Sequence, residues 1–294
     1  MNATPKAPRV TIGVPVFNEE AFLGEALESL MAQDHPNLLI VISDNGSTDR
    51  TPDIARAAAA ADPRVVFTRF PENRGILANY TKVLDLAQGD YIAWASGHDL
   101  WSENFVSECA ALLESHPKAA LAFATSRWID TEGRALPKEY GWTDTRGMDV
   151  IARFFAVLWG NVHPIFGLVR LSYVRELPRL PSSVGADLIF LCEMALRGDL
   201  LHAPGALVMR RQVRRAESHN ERMNRYRRKD MGLAASPLAR IFPALGLPVE
   251  LVRTVLGSRL AASDKAAILA ALAAAFPSRY LAGRKETAAR LKMS

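Results

Sequence analysis

The sequence predicts an α/β domain built on a mostly parallel sheet flanked by helices. Three observations predict it. Short apolar, β-branched runs alternate with segments of helical periodicity through the first hundred residues, the pattern of strand–helix–strand units. The runs are apolar throughout, as strands buried on both faces are. Each run ends in polar, turn-forming residues, so four polar clusters should converge on one sheet edge, beyond the carboxyl ends of the strands, where such sheets bind ligands.

The elements follow in order. Val10-Thr11-Ile12-Gly13-Val14-Pro15-Val16 is the first strand and stops at Phe17-Asn18-Glu19-Glu20. Residues 19–33 carry Phe22, Leu23, Ala26, Leu27, Leu30 and Met31 at helical spacing, and His35-Pro36-Asn37 breaks the helix. Leu38-Leu39-Ile40-Val41-Ile42 is the second strand, ending at Asp44-Asn45-Gly46-Ser47-Thr48-Asp49. An alanine-rich helix over 51–61 stops at Asp62-Pro63. Val65-Val66-Phe67 leads to Asn73-Arg74-Gly75, and a helix over 75–87 stops at Gln88-Gly89-Asp90. Tyr91-Ile92-Ala93-Trp94-Ala95 ends at Gly97-His98-Asp99 and precedes a helix over 102–115. Beyond it the pattern predicts a strand over 119–125, a hairpin or long loops over 127–145, a helix over 149–158, a strand over 165–170, an amphipathic helix over 186–197 and a closing strand over 206–211.

The 294 residues suffice for one large domain or a domain with an extension. Composition shifts near Asp230, where Pro237, Pro243 and Pro248 precede alanine- and leucine-rich helices. This divides the chain into a main domain, 1–229, and a C-terminal helical extension, 230–294. The apolar faces of that extension need a partner surface: the main domain, a second copy in a homodimer, or a membrane interface.

Cys109 and Cys192 lie inside apolar helical patterns and read as reduced core thiols, not as a disulfide framework or zinc site. No signal-peptide pattern precedes Val10, and no apolar run approaches the roughly 20 residues of a spanning helix. The expected location is cytoplasmic, with peripheral contact on the inner face of the membrane in reach. The net charge of +5 is concentrated between Arg210 and Lys229, where nine cations face only Glu217 and Glu221. Such a run binds phosphates or an anionic surface, or forms a solvated helix face; nucleic acid is not an expected partner.

The polar clusters carry the chemistry. Pro15, Asn18 and Glu19 shape the first strand-to-helix turn. Asp44 comes first after its strand, where a carboxylate can reach a pocket, while Thr48 or Asp49 suits a helix cap. Gly75 permits a close backbone approach beside Asn73 and Arg74. Asp99 is the one carboxylate of Ser96-Gly97-His98-Asp99, with His98 able to ligate Mn²⁺ through a neutral imidazole nitrogen. Asp187 opens a helix, where an aspartate suits a cap. Arg210, Arg211 and His219 follow the last strand.

Taken in order, Pro15 to Glu20, Asp44 to Asp49, Asn73 to Gly75 and the later acidic cluster resemble the family 2 glycosyltransferases of GT-A fold over roughly residues 9–212. The resemblance implies transfer of a sugar from a nucleoside-diphosphate sugar, UDP-linked for choice, to a glycan or lipid-linked acceptor, with inversion and a divalent metal, Mn²⁺ or Mg²⁺, in cell-surface polysaccharide assembly. It implies that Pro15, Phe17, Glu19, Asp44, Asn73, Arg74, Arg210 and Arg211 bind substrate, with Phe17 over the base and Asp44 accepting its N–H. It assigns metal binding to Asp99, His98 and His219 and general-base catalysis to Asp187. The family pattern has more acids at the metal motif and Glu-Asp where this chain has Ala186-Asp187. A nucleotidyltransferase would carry a glycine-rich basic loop where this chain has Asn18-Glu19-Glu20. A catalytically degenerate nucleotide-sugar-binding module that docks on a membrane or partner is the alternative. Trp101, Trp128, Trp142 and Trp159 fall on the acceptor side in this reading, with at most one or two expected to touch the acceptor.

Overall fold

The structure, a computed structural model, describes residues 7–137, 144–160, 163–178, 180–181, 185–213 and 246–274. Strands β1 (Val10–Val16), β2 (Leu38–Asp44), β3 (Val65–Arg69) and β4 (Tyr91–Trp94) alternate with helices α1 (Leu23–Met31), α2 (Thr51–Ala61) and α3 (Ile76–Leu86). The short β5 (Leu100–Trp101), α4 (Phe105–Ser115), β6 (Ala119–Ile129) and α5 (Val150–Trp159) follow. A 3₁₀ turn (His163–Phe166) leads to β7 (Leu168–Arg170), α6 (Leu171–Arg175), α7 (Ala186–Arg197) and β8 (Asp199–Arg211). Two further helices, α8 (Gly246–Gly257) and α9 (262–274), are described beyond it.

The eight strands form one sheet in the order β3-β2-β1-β4-β7-β6-β8-β5. Only β7 and β5 run antiparallel to their neighbours. The carboxyl ends of β1, β2, β3, β4, β6 and β8 therefore share one edge. Alternation along each strand sends side chains to opposite faces. Leu38, Ile40 and Ile42 join a core with α1, α2 and α4; Leu39 and Val41 join a second core with α3, α5 and α7. Cys109 is buried in the first core and Cys192 in the second, on opposite faces of the sheet. Leu251 and Val255 of α8 and Ile268 and Leu272 of α9 belong to the second core, so both helices bury apolar side chains against the α7 face.

Gly13 lets α3 press onto β1. A Cβ there would lie 1.9 Å from a Val83 methyl, which no side chain at this position can satisfy without moving the helix. Three elements differ from the sequence expectation. The strand expected over 165–170 divides into the 3₁₀ turn and the shorter β7. The final strand begins at Asp199. Pro204-Gly205 falls inside it: the β6–β8 register jumps between Ala124↔Ala203 and Thr125↔Leu207, and the extra residues bulge from an otherwise continuous strand. The stretch expected as a hairpin or loops is partly strand: β6 runs on to Ile129, which bridges back to Ala135. Among the described residues no helix is long and apolar enough to cross a membrane. Trp142, His219 and most of the basic run lie outside the described residues.

Candidate active site

Two clusters stand on the shared edge. The first lies at the ends of β1, β2 and β3. Asp44 is the last residue of β2 and is fully buried. One carboxylate oxygen accepts from the Ser47 N–H at 3.1 Å and from the Ser47 hydroxyl. The other lies 2.9 Å from Arg69 Nε but makes no hydrogen bond.

Asn45 ties the third loop to this pocket. Its amide donates to Asn73 Oδ1 at 3.0 Å and to the Gly75 carbonyl at 3.2 Å, and its oxygen accepts from the Arg74 N–H at 2.9 Å. Gly46 has φ of +73° and packs on the backbone of Glu72 and Asn73, so neither a β-carbon nor an ordinary φ fits there. The first loop is fastened the same way. Asn18, with φ of 53°, donates its N–H to Ser47 Oγ at 2.8 Å and accepts from the Thr48 N–H at 2.9 Å. Asp49 accepts from the N–H groups of Glu20 and Thr51. Its carboxyl lies below the ordinary range because these bonds outweigh burial, which acts in the opposite direction.

Pro15 pairs with Ser43 across β1 and β2, beside this pocket. Phe17 is 39% exposed at the mouth, an unusual setting for a phenylalanine. Arg74 is exposed, with its guanidinium 5.5 Å from the Phe70 ring centre.

The second cluster lies at the ends of β4, β6 and β8 and at the start of α7. The Glu19 carboxylate meets His98 Nδ1 at 3.0 Å. Asp99 is buried and accepts from the Arg211 N–H at 2.7 Å. The buried Arg211 guanidinium donates to the His98 and Thr131 carbonyls, pairs with Glu25 and lies 4.7 Å from the Phe22 ring centre. Arg211 thus braces the α1 and β4 loops.

Arg210 is set differently. Its guanidinium lies 4.5 Å from the Trp128 ring centre and 4.6 Å from that of Phe166. It donates to His163 Nδ1 at 2.7 Å. Burial and the adjacent Arg210 charge push the His163 pKa down to about 4.

Asp187 is in the first turn of α7, whose N-cap is Gly185, so the aspartate is not the cap. Burial raises its carboxyl above the ordinary range, and the Arg210 charge acts in the opposite direction. Tyr80 of α3 stacks on Trp94, which meets Phe190 of α7 edge-on. Burial raises the Tyr80 phenol, and the carboxylates of Asp187, Asp99 and Glu19 push it further, so the phenol stays a neutral donor.

Of the sequence-predicted site residues, the structure brings Glu19, His98, Asp99, Asp187 and Arg210 around this end and Pro15, Phe17, Asp44, Asn73 and Arg74 around the other. His219 lies outside the described residues. Sequence reasoning missed Tyr80, His163 and Phe166. Tyr80 shares a helical face with the buried Val83, and nothing local distinguishes it. His163 and Phe166 are placed only by the turn before β7. Of the tryptophans, Trp101 is core and Trp128 holds Arg210, while Trp159 is 49% exposed and stacks on Phe155.

A divalent metal fits the described residues poorly. No three His, Cys, Asp or Glu side chains among them converge to hold one. One Asp99 oxygen is taken by the Arg211 N–H, and His98 Nδ1 is engaged by Glu19.

Comparisons with known proteins give the same architecture. The glycosyl transferase family 2 model matches residues 11–176, more than half of the chain. An uncharacterized protein of Mycobacterium tuberculosis is 33% identical over 121 residues, which are 40% of this chain and 35% of that protein. Chondroitin synthase of Escherichia coli is 30% identical over 137 residues, 47% of this chain and 20% of the synthase. The chain thus spans a minor part of the length of these relatives.

Among solved structures, S. aureus TarS 1–349 in complex with UDP-GlcNAc superposes with a TM-score of 0.64 at 18% identity, covering 89% of this chain and 70% of that one. The mannosyltransferase PcManGT from Pyrobaculum calidifontis, in complex with GDP-Man and Mn²⁺, gives 0.56 at 22% identity, covering 99% and 82%. These likenesses carry the fold, a GT-A glycosyltransferase sheet, and the family match carries the assignment: this chain belongs to glycosyl transferase family 2.

Proposed function

We propose that the protein transfers a sugar from a nucleoside-diphosphate sugar, UDP-linked, to the hydroxyl of a glycan or lipid-linked acceptor, with inversion, in cell-surface polysaccharide assembly. The observation that carries this reading is the buried Asp44 carboxylate with one oxygen lacking a hydrogen bond. Arg69 offsets the charge of that oxygen but leaves its hydrogen bond unmade, and the N–H of a pyrimidine base supplies the missing donor. UDP-GlcNAc in the TarS complex and the kinship with chondroitin synthase support the donor and the polymer class.

Asp187 serves as base at the other end of the site. The acceptor oxygen attacks the anomeric carbon and its proton passes to the Asp187 carboxylate. The bond from that carbon to the diphosphate oxygen breaks, and the electron pair leaves with the diphosphate. Arg210 stabilises the charge that develops there. A raised base pKa brings proton affinity nearer the working pH.

A divalent cation, as in the GDP-Man and Mn²⁺ complex of PcManGT, would add charge neutralisation at the diphosphate. The described residues do not form a full donor set for it, so the roles assigned here rest on protein groups. That shortfall also favours one second reading, a nucleotide-sugar-binding module without turnover.

A thermal-shift screen of UDP-, GDP-, dTDP- and CMP-sugars, followed by an assay of UDP release with and without Mn²⁺, separates the two. UDP-sugar stabilisation with UDP release is the expected result. Stabilisation without release supports the binding module, and no stabilisation by any donor refutes both.

A further inference from the structure

Arg210 is the cation on which the proposed transfer leans, and its surroundings are unusual for an arginine that must keep a full charge for a ligand. Its guanidinium rests against two aromatic rings, Trp128 and Phe166, at 4.5 and 4.6 Å. Stacking restrains the tilt of the guanidinium plane and leaves rotation within the plane. The 2.7 Å bond to His163 Nδ1 addresses that rotation. Arginine can only donate, so Nδ1 must carry the lone pair and the ring proton must sit on Nε2.

We infer that His163 is a positioning residue for Arg210: a neutral acceptor that sets the in-plane orientation of the guanidinium without discharging it. This deepens the glycosyl-transfer reading and rests on it for the ligand. A carboxylate in the same place would orient Arg210 at least as firmly, but it would cancel the charge the leaving diphosphate needs. An imidazole held neutral avoids this. Its neutrality comes from the same two features, burial and the Arg210 charge. The Asp187 charge couples to Arg210, and this acid stands at the start of α7, where it has its own proposed role. The 3₁₀ turn that presents His163 also presents Phe166, so one short segment supplies both a ring and the acceptor.

The test uses an isosteric series in the full chain. His163→Asn places a neutral oxygen near the position of Nδ1, His163→Asp places a charged one there, and His163→Leu removes the acceptor. Each variant's melting temperature checks folding. Donor KM and kcat are read with a UDP-sugar. His163→Asn should stay within a few-fold of wild type, while His163→Leu and His163→Asp should each lose about tenfold or more in kcat/KM, a part of the roughly 10²–10³-fold that one preorganised donor contributes. His163→Asp as active as His163→Asn, or His163→Leu as active as wild type, overturns the inference.

A second readout does not depend on turnover. Histidine-selective ¹⁵N NMR at pH 7, assigned by loss of a signal in His163→Asn, should show an unprotonated Nδ1 and a protonated Nε2, with Nδ1 shifting in Arg210→Met. A proton on Nδ1 overturns the inference whatever the activity. Wild-type protein that binds no nucleotide sugar overturns the glycosyl-transfer reading instead, and the orientation of Arg210 is still decided by the NMR result.

Discussion

His98 Nδ1 lies 3.0 Å from the Glu19 carboxylate, so the imidazole beside Asp99 is already engaged by the loop that follows the first strand. The end of β4 therefore works as a junction between loops before any ligand arrives. Asp99 is part of the same junction through the Arg211 N–H.

Metal binding should follow from this arrangement. Titration calorimetry of the free protein with Mn²⁺ should detect no site tighter than millimolar, and a site should appear when UDP supplies phosphate oxygens. Asp99→Asn keeps an oxygen for the Arg211 N–H but loses the charge. It should weaken Mn²⁺ in the presence of UDP by about tenfold, or 1.4 kcal/mol, with little change in melting temperature. Tight Mn²⁺ binding without nucleotide would contradict the geometry.

Asp44→Ala removes more than a ligand contact. Ser47 loses its acceptor and Arg69 its ion-pair partner. Hydrogen bonds to charged groups are worth about 1.5–3 kcal/mol, so a fall of several degrees in melting temperature should accompany lost UDP binding. Asp44→Asn should retain the Ser47 contact and most of the stability, and still bind UDP at least about tenfold more weakly. Unchanged UDP affinity in both variants would place the base elsewhere.

Asp187→Asn should separate catalysis from stability. Burial raises the folded-state carboxyl pKa. The folded state then holds this proton more tightly than the unfolded chain, so the charged form costs stability at neutral pH, and the cost disappears as pH falls below the unfolded value. The variant should melt at or above the wild-type temperature at pH 7 and lose kcat by about 10²–10⁴-fold. A near-normal rate would move the base to another carboxylate.

The pH profile carries a linked sign. A base must be deprotonated to act, so the acidic limb of kcat/KM should fall above the ordinary aspartate range. Arg210 lowers the Asp187 pKa, and Arg210→Gln should move that limb to higher pH in addition to reducing the rate. A limb that stays in place would separate the two groups.

Removing the C-terminal helices should harm the main domain. Leu251, Val255, Ile268 and Leu272 are buried in the core that α7 shares. Each fully buried side chain of this size contributes about 1.5–3 kcal/mol. A chain ended at Lys229 should lose stability to urea and bind a hydrophobic dye. Undiminished stability would show that the helices are dispensable to this core.

The sequence by itself determined the strand–helix ladder of the first hundred residues, because two-faced burial writes continuous apolar runs and turn residues mark each strand end. It determined that Asp44 and Asp187 stand at element ends, and it brought the polar clusters to one edge through the parallel order. It could not divide those clusters into working and bracing parts. Arg210 and Arg211 are neighbours in sequence, yet successive strand residues point to opposite faces. One meets Trp128, Phe166 and His163, and the other is spent on Glu25 and two carbonyls.

The tertiary structure alone decided that split. It also decided the continuity of β8 through Pro204-Gly205, because the bulge depends on the partner strand. Tyr80 and His163 enter the site for the same reason. Their placement comes from α3 lying on β1 over Gly13 and from the turn before β7 packing against β6, contacts between segments far apart in the chain that no local pattern encodes.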